Sequence, residues 1–172
     1  MRLVAALAII ASAMTLAADC SYSTRSGGLP DHIRTIEVPT VKAPKIFYYG
    51  IESKLTREII RWVNNDPQVR VVNIDGDAIL AVEIKNVTQK PIRETKQDRP
   101  ATMQLTIKVA YSLYDQVEQR YLIQGEYVSS QLATAAGLYE IERGEVRAAA
   151  EDRIAEELAR EIVRRTLGHW SL

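Results

Sequence analysis

Cys20 is the first residue whose type could do chemistry, because it is the only cysteine in the chain. A lone cysteine cannot form an internal disulfide. It follows an apolar N-terminal segment, where a lipoprotein signal places the residue that receives a diacylglycerol. Such a signal needs a small residue immediately before the cysteine, and Asp19 stands there. Two interpretations are therefore open: lipid attachment at Cys20, or ordinary cleavage near Ala17 or Ala18 that leaves a free thiol.

A second group with chemical potential consists of basic residues that recur at every third position. Ammonium and guanidinium groups bind phosphates and carboxylates through charge-assisted hydrogen bonds. The spacing therefore predicts a patch that contacts the anionic groups of an amphiphile. Glu94 and Asp98 are interleaved with it, so the alternative is a solvated loop of mixed charge. The basic residues are Lys90, Arg93, Lys96 and Arg99.

The other reactive residue types lack the spacing that catalysis or metal binding needs. His32 and His169 are the only histidines, and neither lies in a cluster with metal-ligand spacing. Asp75-Gly76-Asp77 fits a turn, because the remaining positions of a calcium loop are missing. The chain has no P-loop, nucleophile elbow or Gly-rich dinucleotide turn. We therefore expect no metal site, no cofactor and no enzymatic activity.

The overall charge excludes a general affinity for polyanions. Lys+Arg and Asp+Glu are both 22, so the formal net charge is zero. Binding to nucleic acid is not expected, and contact with any anionic surface must come from a local patch. Hydrophobic residues make up 47% of the 172 positions, which places the chain among globular proteins.

The N-terminal residues have the pattern of an export signal. Arg2 supplies a positive charge, residues 3–16 are apolar apart from Ser12 and Thr15, and small residues follow. The apolar run is shorter than the roughly 20 residues that span a bilayer, so a signal peptide over residues 1–19 is favoured over a transmembrane anchor. Residues 20–32 are polar and Gly/Ser-rich, which predicts a flexible tether. Residues 33–172 are then expected to form one domain.

Two amphipathic helices are predicted in that domain. The first begins near Ile51, carries apolar residues at spacings of three and four, and ends at the sequence Asn64-Asn65-Asp66-Pro67. The second runs from about Glu145 to Leu167, and Gly168 is its expected C-cap. The apolar face of the second helix comprises Val146, Ala150, Ile154, Leu158 and Ile162.

Alternating apolar and polar residues predict the strands. Residues 33–38, 69–72, 78–85, 103–113 and 121–127 follow this pattern, and the last three are expected to pair antiparallel. Residues 88–100 contain two prolines and many charges, which predicts a hairpin tip. The expected fold is an α+β two-layer sandwich with an about four-stranded, mainly antiparallel or mixed sheet and both helices on one face. The expected core face is Leu105, Ile107, Val109, Tyr111 and Leu113, packed on Ile154, Leu158 and Ile162.

The order and the residue sequences of these segments resemble the LptE family of lipopolysaccharide-assembly lipoproteins. The resemblance begins at Cys20-Ser21-Tyr22 and continues through Leu29-Pro30-Asp31-His32-Ile33-Arg34-Thr35-Ile36-Glu37-Val38-Pro39. It includes the helix that starts Ile51-Glu52-Ser53-Lys54-Leu55, and then Val69-Arg70-Val71-Val72 and Asp77-Ala78-Ile79-Leu80. The long hairpin and the closing helix also agree in order and length, so the resemblance covers nearly the whole expected mature chain.

The resemblance implies a location and two partners. Members of that family are tethered to the inner leaflet of the outer membrane, on its periplasmic face, where they plug the LptD β-barrel and assist delivery of lipopolysaccharide to the cell surface. For this chain it implies an LptD-like barrel partner and a lipid anchor at Cys20. It also suggests contact between lipid A phosphates and Lys90, Arg93, Lys96 and Arg99.

A second class of protein is also consistent with the first elements of the chain. A strand, a helix, and then Val-Arg-Val-Val and Asp-Ala-Ile-Leu resemble the start of periplasmic modules such as the TolB N-terminal domain or the curli-secretion lipoproteins. Such a module would be a scaffold or secretion component without a barrel partner. Co-purification with a large β-barrel discriminates between the two classes.

Overall fold

The computed structural model describes residues 29–43, 50–94, 100–130 and 137–168. The expected signal peptide, Cys20, Lys96, Arg99 and His169 lie outside these ranges. Two helices are present, α1 at Ile51–Asn64 and α2 at Arg147–Leu167, and a short 3-10 helix spans Ile141–Arg143. The strands are β1 Thr35–Glu37, β2 Arg70–Val72, β3 Ala78–Glu94, β4 Pro100–Asp115, β5 Arg120–Ser129 and β6 Leu138–Glu140.

The strands form one mixed sheet in the order β2-β1-β3-β4-β5, with β6 also paired to β4. β1 is parallel to β2 and β3, and every other pairing is antiparallel. The predicted α+β class and the antiparallel order of the three long strands are confirmed. The sheet has six strands where about four were expected. β2 falls within the predicted strand at residues 69–72, whereas β6 was not predicted, because it is only three residues long and too short for a periodic pattern to define.

The core lies between the helices and one face of the sheet. The alternating residues Ala78, Leu80, Val82 and Ile84 of β3 are buried. On β4 the predicted face is confirmed, and Leu105, Ile107, Val109, Tyr111 and Leu113 are each 0–1% exposed. These side chains share one buried cluster with residues spaced by four on the helices: Ile51, Leu55, Ile59 and Val63 of α1, and Ala150, Ile154, Leu158 and Ile162 of α2.

Both helices end where the sequence predicts, and one predicted core residue is wrong. α1 ends before Pro67, and the N–H of Gly168, in the left-handed conformation, donates to the carbonyl of Arg164 at the end of α2. Val146 is 63% exposed, because it precedes α2 in extended backbone and so does not follow the helical period. Neither helix in the described part of the chain has the length and apolarity needed to cross a membrane.

The expected tip at residues 88–100 is mostly regular strand. β3 continues to Glu94 and β4 begins at Pro100, with Pro91 opposite Met103. At that point β4 is the only strand paired with β3, so the missing N–H of Pro91 can face the open side without breaking a ladder. The hairpin therefore stays paired beyond Lys90, and β6 lies along the other edge of β4 at residues 102–104. We call this outer part of the hairpin the arm; its outermost residues 95–99 are not among those described.

Candidate functional site

Two of the four predicted phosphate-binding residues, Lys90 and Arg93, lie on β3 in the arm. They stand opposite Gln104 and Thr102 of β4, and both are exposed. Residues three apart on a regular strand point to opposite faces. A register shift between Pro91 and Arg93 inserts one extra residue, so Lys90 and Arg93 share a face. The register therefore places both cations on one face of β3, and Lys96 and Arg99 lie outside the described residues.

That face is the side of the sheet opposite the helices, and cations outnumber carboxylates on its outer half. Its acidic side chains among the described residues are Glu83, Glu94 opposite Pro100, and Glu140 of β6 opposite Thr102. Glu83 pairs with Lys85, whose Nζ lies 2.6 Å from its Oε2. The Nε of Arg93 donates to Thr102 Oγ1 at 3.3 Å. The cations on this half of the face are Lys42, Lys85, Lys90, Arg93 and Lys108.

A second polar cluster lies at the opposite end of β4, where the expected tether meets the domain. His32 Nε2 is 2.7 Å from Oδ2 of Asp115, a carboxylate with 0% exposure. Oδ1 of Asp115 accepts the backbone N–H groups of Val117 and Glu118 in the β4–β5 turn. Leu29 packs against the core, so the last residues of the expected tether contact the fold.

Asp77 fixes the next residues of the same segment. Its Oδ2 accepts the backbone N–H groups of Arg34 and Thr35, at 2.9 and 2.8 Å, and the Thr35 hydroxyl. The N–H of Arg34 and the hydroxyl of Thr35 hold the pKa of Asp77 below its ordinary value, against the effect of burial. For Asp115 burial raises the pKa, but hydrogen bonds from the Glu118 N–H, His32 and the Val117 N–H together lower it below its ordinary value.

The structure brings together ligand-type side chains that sequence spacing did not connect. One ligand atom each from His32, Asp115 and Glu118 lies within 4.8 Å of the others. In the sequence His32 is far from any ligand-type cluster, because the histidine and Asp115 are 83 positions apart. Both oxygens of Asp115 are occupied by hydrogen bonds and Glu118 pairs with Arg120, so protein contacts account for these groups. Their arrangement attaches the N-terminal segment to the sheet.

The fold and this site define a two-layer α+β domain with a helix-covered face and a free, cationic face. Similar folds are found in a hypothetical protein from Chlamydia trachomatis (10% identity, TM-score 0.52, 77% of this chain and 95% of that chain). A protein from Xanthomonas campestris is also similar (15% identity, TM-score 0.51, 78% and 84%). At this identity they show the fold alone. No curated protein sequence matches the chain significantly.

The family follows from the sequence match across the domain. The LptE family model, described as lipopolysaccharide-assembly, matches residues 33–166. This span contains all six strands and α1, and it ends one residue before the end of α2. The chain therefore belongs to the LptE family, as the resemblance in the sequence predicts.

Proposed function

We propose that this chain is a non-enzymatic component of lipopolysaccharide assembly at the outer membrane. The observation that carries the proposal is the match of the lipopolysaccharide-assembly family model to residues 33–166. The match is not limited to one motif, since it covers the elements that build both layers of the fold. The described polar clusters serve as hydrogen-bonded anchors of the backbone, which agrees with a role in binding rather than catalysis.

The proposed partner is an LptD-like β-barrel that the domain plugs from the periplasmic face of the outer membrane. An export signal at residues 1–19 and a diacylglycerol on Cys20 would deliver the chain there and anchor it to the inner leaflet. The contact between His32 and Asp115 supports this arrangement, because it attaches the N-terminal segment to the sheet. Force on the tether would then pass to the core through a buried carboxylate.

The proposed contact with lipopolysaccharide is electrostatic. Lipid A carries dense phosphate charge, and Lys90 and Arg93 lie on one face of the arm. Lys96 and Arg99, from the residues between β3 and β4, are proposed to extend the same patch. The planar guanidinium of each arginine matches two phosphate oxygens, so Arg93 and Arg99 are expected to contribute most.

Isolation of the complex from membranes tests the proposal. A tagged full-length chain is expressed in its source organism, and the membranes are solubilised in non-ionic detergent. We expect a large β-barrel protein to co-purify in a one-to-one ratio. A Cys20→Ala variant is the matched control, because it removes only the site of the anchor and should still bring down the barrel. Recovery of the chain without any barrel would refute the proposal and favour the periplasmic scaffold or secretion module.

A further inference from the structure

The free face of the sheet contains a groove of about 480 Å³, which lies outside the cationic arm. Its floor is formed by Ile79, Ala81 and Ala110. Pro39 and Thr40 line one side, and Tyr127, 60% exposed, lines the other. The volume falls within the roughly 300–1,000 Å³ range of small-molecule sites, and the floor is apolar as such sites usually are.

The groove is formed by backbone that hydrogen bonds hold in place. After β1 the chain returns beside β3, where the N–H of Lys42 donates to Val82 and the N–H of Ile84 donates to Lys42. The N–H of Val41 donates to Thr56 Oγ1 on α1 at 3.0 Å. Residues 38–40 therefore lie between two fixed points, and Pro39 and Thr40 line the groove. A site formed in this way needs little ordering when it binds a ligand.

The charges at the rim are mostly positive. Glu83 is the one carboxylate in the groove lining, and it pairs with Lys85, which also lines the groove. Lys42 lines the groove, and no acidic side chain lies within ion-pair distance of it in the described ranges. Lys108 shares the face with Ala110 and is two residues away, about 7 Å along the strand. It too lacks an acidic partner among the described residues. An apolar floor beside two such ammonium groups complements an apolar chain with an acidic head.

We infer that the groove docks one acyl chain of an acidic lipid monomer, with its acidic head at Lys42 and Lys108. The inference rests on the proposed function and deepens it, since it assigns the apolar part of an amphiphile to a surface separate from the arm. Apolar burial against Ile79 and Ala81 stabilises the bound chain. The two lysines favour an acidic head over a zwitterionic one, and this preference weakens with salt.

The test uses the purified chain and two lipids with the same acyl chain. Lysophosphatidic acid and lysophosphatidylcholine, both below their critical micelle concentrations, are titrated by calorimetry at low salt. Ala81→Trp fills the groove and should weaken binding of lysophosphatidic acid by at least about tenfold, since each methylene kept in water lowers affinity severalfold. Thr88→Trp is the matched control, because Thr88 is exposed on the same face of β3 outside the groove. It should bind like the wild type.

A second pair of variants tests the placement of the head. Lys42→Gln with Lys108→Gln should reduce the preference for lysophosphatidic acid over lysophosphatidylcholine and leave the melting temperature unchanged. Unchanged binding by Ala81→Trp, or no binding by the wild type, overturns the inference. Neither result depends on the barrel complex. The proposed function is tested separately, and it fails only if no barrel co-purifies.

Discussion

Asp115 is a fully buried carboxylate whose oxygens accept hydrogen bonds from His32 and from two backbone N–H groups. Ionised acceptors form stronger hydrogen bonds than neutral ones, and a buried donor left unpaired is costly. The residue therefore joins three parts of the chain: the N-terminal segment, the end of β4 and the β4–β5 turn. Its carboxylate is important at the residue scale because one buried group accepts hydrogen bonds from three donors.

The pH dependence of stability should reveal this carboxylate. Its pKa in the folded protein is lower than normal, so its contribution is present above the unfolded value and is lost as pH falls through the folded value. We expect Asp115→Asn to destabilise the protein by about 1–3 kcal/mol at pH 7. The unfolding free energy of the variant should also fall less steeply than that of the wild type below about pH 4. Urea melts between pH 3 and 7 measure both effects.

Glu118→Gln is the control for that series, because Glu118 is exposed and only its backbone N–H contacts Asp115. It should change the unfolding free energy by less than about 0.5 kcal/mol at pH 7. Parallel pH curves for Asp115→Asn and the wild type would contradict the role given to Asp115.

Neighbouring residues on β4 differ sharply in burial, and this difference predicts how much their substitution lowers the free energy of unfolding. Ile107 is 1% exposed in the core, whereas Thr106 points to the free face. Ile107→Ala should cost about 2–5 kcal/mol, as large-to-small core changes do. Thr106→Ala should cost less than about 0.5 kcal/mol. Equal effects of the two substitutions in denaturant melts would show that the assigned faces are wrong.

At the scale of elements, the parallel pairing of β1 with β3 depends on a turn that brings Gly76 against β1. A Cβ at Gly76 would lie 2.7 Å from the backbone nitrogen of Glu37 and 3.1 Å from the carbonyl oxygen of Ala78. Both contacts are with backbone atoms, so a larger residue must displace a strand. The side of the groove formed by Pro39 and Thr40 depends on the same pairing, and so does the position of the N-terminal segment that carries His32.

We therefore expect Gly76→Ala to destabilise the protein by about 1–3 kcal/mol, the usual cost of overpacking. Thermal or urea unfolding measures it, and amide exchange should show the loss of protection first in β1. Asn73→Ala, in the same turn and exposed, is the control and should cost less than about 0.5 kcal/mol. A Gly76→Ala variant as stable as the wild type would mean that β1 and β3 can separate freely.

At the scale of the whole molecule, the cationic arm should bind lipopolysaccharide independently of the fold's stability. Changing Lys90, Arg93, Lys96 and Arg99 together to Ser should remove most lipopolysaccharide binding at low salt. The melting temperature should stay within a few degrees, because the described members of this set are exposed. Wild-type binding should also fall as salt screens the charges. If the fourfold variant binds like the wild type, the arm is only a solvated loop.

Processing of the N-terminus is a further prediction about the whole chain. We expect protein extracted from the envelope to lack residues 1–19, because their charge and apolar pattern are those of an export signal. Mass spectrometry of the N-terminal peptide decides between a diacylglycerol on Cys20 and a free thiol after cleavage near Ala17 or Ala18. Detection of an intact Met1 would contradict export by cleavage.

Local periodicity was sufficient to predict the layers of the fold. The alternation along β4 and the spacing of four along α2 predicted which residues are buried, because each pattern depends only on the geometry of its own element. The same local signals failed at element ends. Val146 left the helical period, and β3 continued through Pro91, because those outcomes depend on which neighbours are present.

The sequence by itself therefore determined the α+β class, the two amphipathic helices, the core face of β4 and the family. Only the tertiary structure decided what the surface presents. A register shift places Lys90 and Arg93 on one face. The hydrogen bonds between Lys42 and β3 hold the segment that lines one side of the groove. The fold also brings His32 into contact with Asp115. These features depend on pairing between residues far apart in the chain, and local hydrophobic periodicity carries no information about such pairing.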